Sequence, residues 1–332
     1  NAPVKEIDNV RLSIVGGIVG KIGDLLSKNT LELLATHAAD DLISLKSKDE
    51  EWEAVPIEGP LNMSVKNRPT LSRSKHSEFT PGTTAVGSQL KDAQEWDKDV
   101  AKWKKELKEN VLALAGWMRS QSVSKGDRIA AYIPNIQQAV VTMLATASLG
   151  AIYSSCSPDF GFNGVFDRFS QIEPKLLITV DGYCYAGKKI SRVDIIRQLK
   201  EKLPSLVHIL VHDYNGNAPD LTCEPDISLY SDALMYEPIQ EFVPVGFNDP
   251  LYILYSSGTT GAPKCILHSV GGTLLQHIKE HRLHSNVREN APVFYFTTCG
   301  WMMWNWLVSA LAVNAKIVLF EGNPFYPAPD RI

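Results

Sequence analysis

Short apolar runs rich in β-branched residues alternate with segments of helical periodicity along most of this chain, and that alternation limits its fold more than any other feature. Residues 96–120 place Val111, Leu114, Ala115 and Met118 on one side of a helix. Residues 128–133 form a buried-strand run stopped by Pro134 and Asn135, and 137–149 reads as a mostly apolar helix closed by Gly150. Strand-like runs recur at 151–155, 175–180 and 206–211, with helical segments at 164–171 and 193–203. After a polar stretch at 215–228, strands are expected at 251–255, 293–297 and 316–320, with helices at 272–284 and 301–313. Strands alternating with helical segments of 10 to 15 residues imply crossover connections and a parallel sheet. The expected fold is therefore α/β, with doubly wound, mainly parallel sheets.

Residues 1–90 do not share this grammar. Gly16, Gly17, Gly20 and Gly23 lack dinucleotide-loop spacing, and 62–89 is rich in Ser, Thr, Pro and Gly. They read as an unassigned N-terminal arm, with the α/β domain at 91–332. The 332 residues carry 33 basic and 37 acidic side chains, a net charge of −4. That balance argues against nucleic-acid and anionic-membrane partners, which call for a basic surface. Five dispersed cysteines with no C-x-x-C pair exclude a disulfide framework or zinc ribbon and suit a reducing compartment. The most apolar stretch, 139–153, is too short to span a bilayer, so a cytoplasmic location is expected. The closing residues come directly after a strand-like run, and the chain reads as cut rather than finished.

Between the strand at 251–255 and the next helix stands Ser256-Ser-Gly-Thr-Thr-Gly-Ala-Pro-Lys264. Gly258 and Gly261 allow tight turning and unobstructed N–H groups. Ser256, Ser257, Thr259 and Thr260 add hydroxyls, Pro263 stiffens the exit, and Lys264 contributes a full positive charge. Such a set suits phosphate, although the Walker spacing is absent.

This segment resembles the phosphate-binding signature of the AMP-forming acyl-CoA synthetases, the adenylate-forming superfamily. The resemblance implies that Ser256, Ser257, Gly258, Thr259, Thr260, Gly261 and Lys264 bind the phosphates of ATP, with Lys264, Thr259 and Thr260 catalytic. In that family a carboxylate attacks the α-phosphate, pyrophosphate leaves, and the thiol of coenzyme A displaces AMP from the acyl-adenylate. Mg²⁺ is expected to arrive with ATP, held mainly by phosphates, and no protein metal site is implied. A second stretch, Phe296-Thr-Thr-Cys-Gly-Trp-Met-Met-Trp-Asn-Trp306, is similar to the family's aromatic substrate-pocket motif and puts Trp301, Met302 and Met303 in the acyl pocket. Its Met-Met-Trp-Asn-Trp form resembles the acetoacetate-activating branch rather than the acetate-activating one. Supporting matches fall at 157–175, 262–272, 276–281 and 319–324, and the resemblance runs from 103 to 327.

The implied substrates are acetoacetate, ATP and coenzyme A, with no nucleic acid or membrane partner and an oligomeric state left open. An acetyl- or propionyl-type enzyme and a truncated, non-catalytic nucleotide-binding remnant are the alternatives. The family's adenine, ribose and adenylation-lysine segments lie downstream, so the chain alone is expected to be inactive. Lys188 or Lys189 falls where relatives contact the phosphates of coenzyme A, and a plain surface turn is equally consistent.

The remaining signals read more simply as structure. His277, His281 and His284, at i, i+4 and i+7, can share one helix face but lack a further ligand at metal spacing, which makes it a packed or solvated face. His268 reads as structural, Asp167 with Arg168 as a helix-surface pair, and Trp304 and Trp306 as core. No G-x-S-x-G supports a hydrolase.

Overall fold

A computed structural model describes residues 93–256, 261 and 263–326. The arm read at 1–90 and the centre of the Ser/Gly/Thr segment lie outside the described residues. A long helix, α1 (Ala93–Ser120), leads into β1 (Arg128–Tyr132), α2 (Gln137–Ser148), β2 (Ile152–Cys156), α3 (Phe162–Ile172) and β3 (Leu176–Val180). Next come a hairpin, β4 (Gly182–Tyr185) and β5 (Lys188–Ser191), then α4 (Val193–Lys202), β6 (His208–His212), α5 (Pro219–Thr222), β7 (Ile227–Leu229) and α6 (Tyr230–Ala233). The last part comprises β8 (Pro250–Ser256), β9 (Lys264–Ser269), α7 (Val270–Lys279), a π-turn (Glu280–His284), β10 (Pro292–Phe294), α8 (Met302–Ser309), a 3₁₀ turn (Ala310–Val313) and β11 (Lys316–Val318).

One seven-stranded sheet has the order β7-β6-β3-β1-β2-β8-β9, parallel throughout except for the β8–β9 pair. Alternation along β1 separates two cores. Ile129 and Ala131 face the layer built by α1 and α2, while Ala130 and Tyr132 face α3 and α4. Covered on both faces, the central strands are near-continuous apolar runs, which is why they are legible in the sequence. Helix α2 is buried from Ala139 to Ser148. It tolerates Thr142, Thr146 and Ser148 there because each hydroxyl donates to the carbonyl four residues earlier, at 2.7, 2.8 and 2.8 Å. The 237–241 segment lies on α1, with the Ile239 N–H donating to the Leu112 carbonyl at 3.1 Å. Any Cβ at position 116 would collide with the Glu237 carbonyl, so Gly116 is what lets the two backbones meet. A third cluster, including Val293, Leu307 and Val313, packs beneath the parallel β10–β11 pair.

The structure departs from the sequence reading in several places. The Ser/Gly/Thr segment does not open onto a helix. The chain returns as β9, antiparallel to β8, so the segment is the turn of an edge hairpin. Strand β9 mixes Lys264, Ile266, Leu267 and His268, with Leu267 59% exposed, and shows neither helical nor strand burial periodicity. The β4–β5 hairpin is a further element without a sequence signal of its own; its Ala186 and Gly187 both take positive φ, at 47° and 75°. The expected helix at 272–284 stops at Lys279, and the wider π-turn changes the direction in which the later residues point. His277 and His281 are buried together, while His284 is exposed and off their face.

Candidate active site

In doubly wound sheets ligands meet the carboxyl ends of the strands. Here those ends are Tyr132 of β1, Cys156 of β2 and Ser256 of β8. Ser256, half-buried, closes β8 and stands in register with Lys264, the exposed first residue of β9. Residues 257–263 therefore connect the carboxyl end of β8 to the start of β9. Gly261 is exposed, and Ser257, Gly258, Thr259 and Thr260 lie outside the described residues. The exit is tethered to α3: Gln171 Nε2 donates to the Pro263 carbonyl at 2.9 Å, and the Cys265 thiol donates to Gln171 Oε1 at 3.6 Å. The approach is equally braced. Tyr255 Oη is 2.9 Å from Ser154 Oγ, and the Arg168 guanidinium sits 4.7 Å from the Phe160 ring centre and 5.7 Å from that of Tyr255. Arg168 also donates to the Gly164 carbonyl at 2.6 Å, so it is a packing cation rather than half of a surface pair with Asp167.

The aromatic motif is docked across the ends of β1 and β2. The Ser155 hydroxyl donates to the Cys299 carbonyl at 2.6 Å, and the Cys299 thiol donates to the Pro134 carbonyl at 3.3 Å. Gly300 passes over Phe160 and the Ser157 backbone. Trp301 then caps α8. It is 65% exposed and Met302 46%, with Met303 half-buried, so among the described residues they stand open to solvent and are not enclosed in a pocket. Trp304, by contrast, is fully buried and stacks on Tyr153 at 5.9 Å, as core. Trp306 is half-buried and donates from Nε1 to Glu280 Oε2 at 3.0 Å. Burial pushes the Cys156 thiol up to about 12 and the Cys299 thiol well above its ordinary value, which leaves both as inert thiols.

Two residues at this end gain their roles only from the fold: no motif singles out Asn135, and Glu321 is one residue of the matched stretch 319–324. Asn135, just after β1, is 2% exposed. Its backbone N–H donates to Glu321 Oε2 at 2.8 Å. Burial raises the Glu321 carboxyl to about 7; that N–H opposes the shift, and Asp159 adds to it. Within that stretch, an acidic residue directly after an apolar strand and before a glycine is the available signal. The folded carboxyl holds a proton that the unfolded one, with its ordinary value of 4.5, has already released. Glu321 therefore favours folding below about pH 4.5, and the contribution is lost as pH rises through about 7. Glu321→Gln, which keeps an acceptor for Asn135, is expected to melt higher than the parent at pH 8 but not at pH 4.5; equal offsets at both would contradict this.

Beyond Glu321 the chain runs along the β4–β5 hairpin. Gly322 lies beside the Cys184 carbonyl, and a Cβ at Gly187 would strike the Tyr326 phenol. Lys188 is exposed beside this turn, and Lys189 Nζ donates to the Asn215 carbonyl at 3.5 Å. The histidines serve packing. His277 Nδ1 and His281 Nε2 each lie 2.9 Å from Ser309 Oγ, and burial lowers both, His277 to about 4. His268 tilts over Tyr252 at 5.0 Å. Among the described residues no group of three or more His, Cys, Asp or Glu could hold a metal ion, and no helix is long and apolar enough to cross a membrane.

Comparison with known proteins gives a consistent result. A family model described as AMP-binding enzyme matches residues 89–332. An acetoacetyl-coenzyme A synthetase of Rhizobium meliloti is 49% identical over 224 residues, covering 67% of this chain and 34% of that protein. An acetoacetyl-CoA synthetase of Macaca fascicularis is 47% identical over 232 residues, covering 68% and 34%. A solved acetoacetyl-CoA synthetase from Streptomyces lividans aligns with a TM-score of 0.66 at 42% identity, over 68% of this chain and 34% of that one. The chain spans about a third of the length of these relatives.

Proposed function

The chain belongs to the AMP-binding enzyme family, and from that premise we propose that the intact protein joins acetoacetate to coenzyme A through an acyl-adenylate, with ATP cleaved to AMP and pyrophosphate. The observation that carries the reading is the placement of two motifs at one sheet edge. The Ser256–Lys264 segment follows the carboxyl end of β8, and Cys299, two residues before Trp301, is hydrogen-bonded to Ser155 at the end of β2 and to Pro134 just after β1.

The turn's hydroxyls and N–H groups hold the β- and γ-phosphates, with Lys264 as counter-charge. The acyl carboxylate oxygen attacks the α-phosphorus while the bond to pyrophosphate breaks, and negative charge grows on the leaving group. Fixed donors aimed at that charge lower the barrier. The thiolate of coenzyme A then adds to the acyl carbonyl and AMP departs, with Lys188 beside the β4–β5 turn as a contact for its phosphates. Mg²⁺ would come as the nucleotide's counter-ion, held mainly by its phosphates; the described residues offer it no carboxylate cluster. Trp301, Met302 and Met303 supply a mainly apolar wall for a short acyl chain. These are small-molecule reactions of a cytoplasmic enzyme.

Mass analysis of products from the protein expressed from its complete reading frame tests the reaction class. AMP and acetoacetyl-CoA in equal amounts are expected; ADP, or hydrolysis without a thioester, would overturn it.

A further inference from the structure

We infer that Asn135 is a positioning residue for the acyl substrate, acting through Trp304 to set where Trp301–Met303 stand; this rests on the reading of those residues as the acyl wall. A buried carboxamide can accept at Oδ1 and donate twice from Nδ2. Asn135 spends all of this on segments remote in sequence. Oδ1 accepts from Trp304 Nε1 at 2.9 Å, and Nδ2 donates to the Phe320 carbonyl at 3.2 Å and the Thr297 carbonyl at 3.4 Å. Because an indole N–H can only donate, Trp304 fixes which end of the amide faces it. Thr297 and Trp304 bracket Trp301–Met303 on both sides, so one side chain clamps the motif at its entry and within the first turn of α8.

The clamp matters because the wall cannot hold itself. Trp301 and Met302 are 65% and 46% exposed, whereas Trp304 is 0% exposed and Asn135 2%. The exposed pair inherits its position from the buried post. Fully satisfied buried networks rigidify what they join, and an error of about 1 Å in substrate placement can cost on the order of 100-fold in rate.

Three variants of the complete protein test this: Asn135→Ala, Trp304→Phe, which keeps an aromatic ring and loses the N–H, and the double variant. The expected result for each is a KM for the acyl carboxylate raised about 10-fold, with the KM for ATP within about twofold. The double variant should be no worse than Asn135→Ala alone, because Asn135→Ala already removes the bond that Trp304→Phe breaks. Multiplied effects, or equal changes in both KM values, would overturn the inference. Should Asn135→Ala fail to fold, Trp304→Phe carries the KM test alone. Amide hydrogen exchange keeps the inference testable if no carboxylate is activated at all, an outcome that would sink the proposed function instead. Loss of the indole donor should speed exchange at 297–306 about 10-fold and leave β1, β2 and β3 unchanged. Unchanged exchange at 297–306 would overturn the clamp.

Discussion

Lys264→Ala, in the protein expressed from its complete reading frame, is expected to slow acyl-adenylate formation by about 10²- to 10³-fold while leaving thermal unfolding unchanged. The two halves of that expectation come from one position. Lys264 is exposed at the head of an edge strand and makes no salt bridge among the described residues, so the fold does not depend on its ammonium. Yet its register partner is Ser256, at the carboxyl end of β8, which sets the charge where the 256–264 segment, the proposed phosphate site, rejoins the sheet. Charge that is free of structural duty and held at a sheet edge is available to a leaving pyrophosphate. Single-turnover release of pyrophosphate reads the first half, and a melting curve reads the second. Unchanged kinetics would remove Lys264 from the site; a lowered melting temperature would make it structural.

The largest expected effect on stability is at Asp181, between β3 and β4. Its carboxylate is fully buried and accepts the backbone N–H groups of Tyr214 at 2.7 Å, Asn215 at 2.9 Å and Asn217 at 2.7 Å. Its own carbonyl accepts the Arg192 N–H at 2.8 Å. One side chain therefore folds the 214–217 turn against the root of the β4–β5 hairpin. Asp181→Ala leaves those donors in a site where Gly182 already packs on Asn215, with little room for water. The expected cost is about 3–4 kcal/mol, or roughly 10 °C in melting temperature for a domain of this size. Asp181→Asn, which keeps one acceptor but turns an NH₂ toward the donors, should recover less than half. Because the hairpin presents Lys188, thioester formation should suffer more than adenylate formation in either variant. A loss of stability below about 1 kcal/mol would show that water satisfies the turn.

The elements that can be read from sequence are those whose burial is symmetric. Leu176-Leu-Ile-Thr-Val180 is covered on both faces, so its apolar run announces a central parallel strand. The hairpins resist because their chemistry is not periodic. Lys188–Ser191 carries two lysines and is largely exposed, and β9 is an edge strand whose apolar Ile266 and Leu267 face outward. The π-turn after Lys279 breaks the assumption of a single helical period, which moves His284 away from His277 and His281. At the site, residue types with phosphate chemistry stand out as a contiguous word, 256–264. Asn135 and Glu321 do not. A polar residue after a strand resembles any turn, and its meaning lies in Thr297, Trp304 and Phe320, more than a hundred positions away.

Carboxylate-dependent exchange between ATP and labelled pyrophosphate, with acetoacetate, acetate and propionate compared side by side on the complete protein, tests the central claim most directly. The expected result is exchange that requires carboxylate and favours acetoacetate by at least ~10-fold in kcat/KM. Preference for acetate or propionate, or exchange indifferent to carboxylate, would contradict it.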